Sequence, residues 1–238
     1  MVNSLSIVFP MYNEIGNIET SVRESLRVAL TITPDVEIIV VDDASTDGCG
    51  ALADRLAEEI PQLRVLHHER NRKLGGSLRT GFAAATKEWI FYTDSDLPIV
   101  MDDMLGAIPL TDSAELIIGW RRDRAESKRR EINSKIYNRM IRMLFGLRVK
   151  DVNFAFKFFL RSLYEQTSVR SEGSFIDAEL ILELRRVGAR IAEMGLDYHP
   201  RVAGVSTLGS LRVVPRIFAD MAGYRLRRHA PLTPHAGR

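Results

Sequence analysis

Along the first half of the chain, short apolar runs alternate with longer stretches whose apolar positions recur every three to four residues. The runs are LSIVFP (5–10), VEIIVVD (36–42), LRVLHH (63–68), WIFYTD (89–94) and AELIIG (114–119). Being β-branched and nearly unbroken, they predict strands covered on both faces. The periodic stretches, near 15–30, 48–60, 76–87 and 99–109, predict helices between them. This alternation predicts an α/β fold: a mostly parallel sheet with helices on both faces. Ligands of such sheets bind beyond the carboxyl ends of the strands. The residues found there are polar: Tyr12-Asn13-Glu14, Asp42-Asp43, the stretch from Asn71 to Gly76, and Asp94-Ser95-Asp96.

Two of these ends read either way. DDASTDG (42–48) offers Ser45, Thr46 and Asp47 as helix caps or as ligand contacts. NRKLGGSLRTG (71–81) fits turn chemistry or a backbone that approaches a phosphate. It has neither the Gly-Lys-Ser/Thr ending of a P-loop nor GxGxxG spacing. The last end is sharper. Alternation along an extended chain puts Asp94 and Asp96 on one side, where like charges repel unless a cation or a proton lies between them.

Composition bounds the class without choosing the chemistry. The chain has 238 residues, 45% of them hydrophobic and 27% charged, as in an ordinary globular protein. A single cysteine, Cys49, excludes an internal disulfide. No run reaches the roughly 18 to 20 apolar residues of a membrane span, and MVNSLSIVFP does not read as a signal peptide. Charge is uneven. Residues 1–120 carry 9 Lys/Arg against 19 Asp/Glu, a net of −10, whereas residues 121–150 carry 11 against 3, a net of +8. The basic middle suits phosphates or an anionic membrane surface, or is a solvated helix face. It holds no nucleic-acid recognition motif, so no nucleic-acid partner is expected.

In order and spacing, FPMYNE (9–14), VVDDASTDG (40–48), NRKLGGSLRTG (71–81) and YTDSDLP (92–98) resemble the nucleotide-sugar half of glycosyltransferase family 2. GWR (119–121), DVNFAFKFF (151–159), SFIDAEL (174–180) and HPRVAGVST (199–207) resemble its polyprenyl-phosphate sugar transferases, the dolichyl-phosphate mannose synthase and dolichyl- or undecaprenyl-phosphate glucosyltransferase types. The resemblance implies a GT-A fold and an inverting transfer from a nucleotide sugar to a polyprenyl phosphate. It implies Mg²⁺ or Mn²⁺ at Asp94 and Asp96, with Asp96 among the catalytic residues, and donor contacts from Pro10, Tyr12, Glu14, Asp42, Asp43 and Ser95. Arg121, Arg130 and Arg201 fall where the family has acceptor-phosphate arginines, with Arg129 a rival to Arg130. Asp177 and Glu179 either orient an arginine or sugar or are the acidic first turn of a helix. Mannose synthases often carry Gln where Pro98 stands, so the donor stays open between GDP-mannose and UDP-glucose types.

The implied organisation is a catalytic unit over 1–208, divided into a nucleotide-sugar half (1–120) and an acceptor half (121–208), with an amphipathic segment and tail over 209–238. The implied place is the cytoplasmic face of a membrane, as a peripheral protein. INSKIYNRMIRMLFGL (132–147) has apolar Ile132, Ile136, Met140, Met143, Leu144 and Leu147 at helical spacing, with Lys135, Asn138, Arg139 and Arg142 around the other side. It either packs on the protein's own core or rests on a membrane surface, and a separate integral-membrane partner is a further route to lipid. A haloacid-dehalogenase phosphatase would want Asp-x-Asp-x-Thr near the N-terminus, but Pro98 holds the Thr place. A saccharide or protein acceptor, and a catalytically inactive nucleotide-sugar-binding module, are the competing functions.

Overall fold

The computed structural model describes residues 1–122, 128–198 and 214–228, with side chains described from residue 134 in the first of its two late helices and over 217–227 in the second. Seven strands, β1 Leu5–Met11, β2 Val36–Asp42, β3 Leu63–His67, β4 Trp89–Thr93, β5 Leu116–Arg121, β6 Phe156–Leu160 and β7 Ile191–Leu196, form one sheet in the order β3-β2-β1-β4-β6-β5-β7. β1 to β4 are mutually parallel, and β5 is parallel to β7. β6 runs antiparallel between β4 and β5. The five strands expected from the apolar runs all form, because Leu5, Ile7, Val8, Phe9 and their counterparts are wholly buried between two helical layers.

On one face lie α1 (Ile18–Ile32), α2 (Cys49–Glu59) and a 3₁₀ segment, Met101–Asp112, whose Val22, Ala53 and Met104 join Ile7, Val40 and Phe91 of the sheet. The other face holds α3 (Lys73–Ala84), α4 (Lys128–Phe145), α6 (Ile176–Arg186) and α7 (Val214–Arg228), with a short turn, α5 (Arg161–Tyr164), at its edge. Their Phe82, Ile141, Ile181 and Tyr224 pack on Val8, Ile90 and Phe159. The 99–109 stretch is 3₁₀ rather than α: Pro109 lies inside it, lacking an N–H and crowding the carbonyl four residues back.

α3 lies unusually close to the sheet. A methyl group at Gly81 would stand 2.4 Å from Val8 Cγ1 and 3.3 Å from Val41 Cγ2, both fully buried and stiff at χ1. Gly81→Ala should therefore destabilise the protein by about 1–3 kcal/mol through overpacking, more than the about 1 kcal/mol that Ala gains over Gly in a helix. Urea unfolding checks this, and an unchanged or higher midpoint would contradict it.

Candidate active site

The carboxyl ends of β1 to β4 are held in strained turns. Each is followed by a non-glycine residue with positive φ: Asn13 (57°), Ala44 (61°), Lys73 (62°) and Leu97 (46°). Such residues persist where surrounding contacts over-determine the backbone, typically at functional sites. The first two loops lock together here. The Asn13 N–H donates to Ser45 Oγ (3.0 Å), the Thr46 N–H to Asn13 Oδ1 (2.8 Å) and the Ile15 N–H to Asp47 Oδ2 (2.9 Å). Of the three cap candidates in DDASTDG, only Asp47 also serves the start of α2, accepting from the Cys49 N–H at 3.0 Å.

Beyond β4, a turn closed by the Leu97 N–H to the Asp94 carbonyl (3.2 Å) presents Asp94 and Asp96. Ser95 is buried, and its hydroxyl donates to the Pro10 carbonyl (2.6 Å) while its own carbonyl accepts from the Ser21 hydroxyl (2.6 Å). Ser95 thus pins the turn to β1 and α1. Both carboxylate oxygens of Asp96 are buried. Burial raises the Tyr92 hydroxyl well above its ordinary range, and the charges of Asp177, Asp94 and Asp96 push it further the same way. The turn is thus a region of negative potential. No group of three or more His, Cys, Asp and Glu suited to a metal occurs among the described residues. The two carboxylates are hard oxygen donors that suit Mg²⁺ or Mn²⁺, with the remaining oxygens supplied by a ligand and water.

The adjacent Asp42 and Asp43 are held differently. Asp42 has both oxygens engaged, by the Ser45 N–H (3.0 Å) and by His67 Nδ1 (3.0 Å). His67 spans to Asp54 (2.9 Å), whose hydrogen bond raises the imidazole above its ordinary value against the opposing effect of burial, with Asp42 adding to the rise. Asp43 takes the Arg72 N–H (2.7 Å) and His68 Nδ1 (2.7 Å), both on Oδ1. Tyr12 stands half-exposed beside this end of the sheet, Pro10 is partly buried, and Glu14 accepts from Asn17 Nδ2 at 2.7 Å.

The glycines of NRKLGGSLRTG make close packing contacts. The Gly75 N–H donates to the Glu172 carbonyl (2.9 Å), and a methyl group there would lie 2.2 Å from the Ser171 carbonyl oxygen. At Gly76 it would meet Arg72 Cβ at 2.5 Å.

At the end of β5, Arg121 is almost buried and is gripped by Asp151, Nε to Oδ2 at 2.8 Å and Nη2 to Oδ1 at 3.2 Å. Its guanidinium lies 5.5 Å from the ring centroids of both Phe154 and Tyr198. Only the start of β6 separates β4 from β5, so Arg121 and the Asp94–Asp96 turn share one sheet edge at about 10 Å, two strand spacings. Beneath them, wholly buried Lys157 pairs with Asp177 (3.3 Å), donates to the Phe154 carbonyl, and faces Tyr92 across the ladder. Burial lifts the Asp177 carboxyl above its ordinary value, outweighing the pull of Lys157, and Tyr92 donates to it at 3.5 Å. Asp177 is therefore part of a buried layer under the site. Glu179 accepts from the N–H groups of Arg170 and Ser171 and pairs with Arg227 of α7 at 2.7 Å. Arg130 lies in α4 where side chains are not described, and Arg201 lies outside the described residues.

Sequence reasoning assigned no role to Asp151, His67, His68 or Lys157. The first lies within the DVNFAFKFF motif and the two histidines close an expected strand, so position alone marked them. A lysine amid FKFF gave no outward sign that its charge is buried.

Comparison with known proteins identifies the fold and the family. The fold matches the crystal structure of glucosyl-3-phosphoglycerate synthase from Mycobacterium tuberculosis with phosphoglyceric acid, with TM-score 0.70, 21% identity, and 93% of this chain and 80% of that one covered. The structure of that enzyme with Mn²⁺ and UDP-glucose aligns with TM-score 0.69, at 21% identity over 93% and 79% of the two chains. These likenesses define the class, a GT-A glycosyltransferase fold. The model of glycosyl transferase family 2 matches residues 6–169, more than half of the sequence, and the chain belongs to that family. Among its relatives, the glycosyltransferase AglD of Haloferax volcanii is 30% identical over 207 residues, 83% of this chain but 33% of that protein, so this chain spans a third of that relative's length. The undecaprenyl-phosphate mannosyltransferase of Micrococcus luteus is 27% identical, covering 84% of this chain and 86% of its own. The polyprenol monophosphomannose synthase of Mycolicibacterium smegmatis is 27% identical over 89% and 83%. The chain is thus a family 2 glycosyltransferase.

Proposed function

We propose that this enzyme transfers a hexose, with inversion, from a nucleotide sugar of the GDP-mannose or UDP-glucose type to a polyprenyl phosphate, with Mg²⁺ or Mn²⁺ at Asp94 and Asp96. One observation carries the reading: a carboxylate pair and a clamped arginine lie on the same sheet edge, one strand apart. A divalent cation at the carboxylates would supply charge neutralisation for the departing nucleoside diphosphate. The acceptor, a phosphate monoester with a second pKa of about 6, is largely a dianion near neutrality, so it needs positioning more than a base. Arg121, fixed by Asp151 between two rings, meets that need, with Arg130 and Arg201 as its partners. The phosphate oxygen attacks the anomeric carbon from the side opposite the leaving diphosphate. Relatives named for undecaprenyl-phosphate and polyprenol substrates support this acceptor, and a neighbour solved with Mn²⁺ and UDP-glucose supports the metal.

Access to lipid follows from the basic middle. α4 uses Tyr137, Ile141 and Phe145 for the core, which leaves Ile136 (59% exposed) and Met143 (75%) in solvent among exposed Lys135, Arg139 and Arg142. α7, whose Tyr224 packs on Phe145 and Phe175, exposes Phe218 and Leu226 beside Arg225. No described helix is long and apolar enough to cross a membrane. An apolar face among cations suits contact with an anionic membrane surface, directly or beside an integral-membrane partner.

With purified protein, Mn²⁺ or Mg²⁺, undecaprenyl phosphate and labelled GDP-mannose or UDP-glucose, label should move into the organic phase. Asp96→Ala should lower that transfer about a hundredfold or more while the protein stays folded, and Arg121→Ala should raise the lipid-phosphate KM about tenfold. Nucleotide-sugar turnover only with a saccharide or protein acceptor would overturn the lipid reading, and retained transfer in Asp96→Ala would remove the metal role. For membrane contact, Met143→Asp should lower co-sedimentation with vesicles containing anionic lipid several-fold. Undiminished sedimentation would refute the α4 surface.

A further inference from the structure

Between β2 and α3 a closed ring of hydrogen bonds surrounds one carboxylate. The guanidinium of Arg72 approaches Thr80 Oγ1 at 3.5 Å, Thr80 Oγ1 lies 2.9 Å from His68 Nε2, and His68 Nδ1 lies 2.7 Å from Asp43 Oδ1. The ring closes through the Arg72 N–H, which donates to the same Asp43 oxygen at 2.7 Å. Its direction is dictated by chemistry. A guanidinium only donates and a carboxylate only accepts. The Nδ1–H of His68 therefore donates to Asp43, and in the neutral tautomer this sets, Nε2 accepts from the Thr80 hydroxyl, whose oxygen accepts from Arg72. The His68 and Asp43 side chains are 7% and 4% exposed, so water does not compete for these bonds.

Asp43 thereby carries both protein donors on Oδ1, and no donor among the described residues reaches Oδ2. Its neighbour is the opposite case. Asp42 has each oxygen engaged, and a methyl group at Gly50 would stand 2.6 Å from its Oδ2. Asp42 thus holds the loop, and Asp43 is the carboxylate with an oxygen for a ligand N–H.

We propose that His68 is a positioning residue for donor binding: set in one tautomer by Thr80 and Arg72, it fixes the rotation of the Asp43 carboxylate so that Oδ2 meets the nucleoside. This rests on the reading that Asp43 contacts the donor nucleoside. Rotation of a carboxylate changes ground-state recognition of the nucleoside rather than the transfer step, so the effect belongs in donor KM and nucleotide affinity.

The test measures UDP and GDP binding by calorimetry, and donor KM, acceptor KM and kcat, for the wild type, His68→Leu, His68→Asn and Thr80→Val. His68→Leu should weaken nucleoside-diphosphate binding and raise donor KM about tenfold, as expected for a lost hydrogen bond to a charged group, with acceptor KM unchanged. His68→Asn, whose amide can stand where Nδ1 stood, should recover most of that loss. Thr80→Val removes only the tautomer-setting hydroxyl and should show a smaller donor-KM rise, which keeps the test decisive if His68→Leu fails to fold. A wild type that binds neither UDP nor GDP would sink the donor-site reading and this inference with it. A wild type that binds, with folded Thr80→Val and His68→Leu binding equally well, would overturn the role of His68 alone. Equal losses in donor and acceptor KM would mean general distortion and would also overturn it.

Discussion

Everything at the active edge depends on holding two carboxylates in one tight turn at the end of β4. Asp94 and Asp96 repel, and water that would screen them is largely excluded, since both oxygens of Asp96 are buried. A chain left to itself would open such a turn. Here the Ser95 hydroxyl bonds to the Pro10 carbonyl, the Ser21 hydroxyl bonds to the Ser95 carbonyl, and Leu97 accepts a positive φ. Backbone strain and like-charge repulsion are offset by the packing of β1, β4 and α1. The product is a close pair of hard oxygen donors, and no group of three or more His, Cys, Asp and Glu suited to a metal occurs among the described residues.

The second organising feature is the reversal of β6. Inserting one antiparallel strand between β4 and β5 brings the segment after α4 back across the sheet edge, so Asp151 and Phe154 stand beside Arg121. The same strand buries Lys157, whose charge Asp177 balances. A purely parallel continuation would place β5 directly against β4 and leave no seat for the arginine's partners. Asp94 and Asp96 therefore lie one strand away from Arg121, where the proposed transfer would use opposite charges at its two ends.

Much of the first half was legible from the sequence because its rules are local. Strands buried on both faces read as apolar runs, and the polar residues after them mark the strand ends where the fold places its strained turns. The 3₁₀ stretch was misread because periodicity is blind to the effect of Pro109. Long-range pairing was harder. Nothing local announces that Glu172 fills the space above Gly75, that Asp151 closes on Arg121 across 30 positions, or that His68 bonds to Asp43. The amphipathic pattern of 132–147 was readable, but its orientation was not. Tyr137, Ile141 and Phe145 took the core, and three apolar residues assigned to one face, Ile136, Met143 and Leu144, stayed outside. Family resemblance supplied what local rules could not, naming Arg121 and the Asp-x-Asp pair together.

The central claim is that Asp94 and Asp96 form a cation site completed by the donor's diphosphate. Mn²⁺ titration of the purified protein, followed by electron paramagnetic resonance with and without UDP or GDP, tests it most directly. The account predicts weak Mn²⁺ binding alone and much tighter binding once nucleoside diphosphate is present, with the gain lost in Asp96→Ala. Equally tight Mn²⁺ binding with and without nucleotide, or a gain that survives Asp96→Ala, would contradict it.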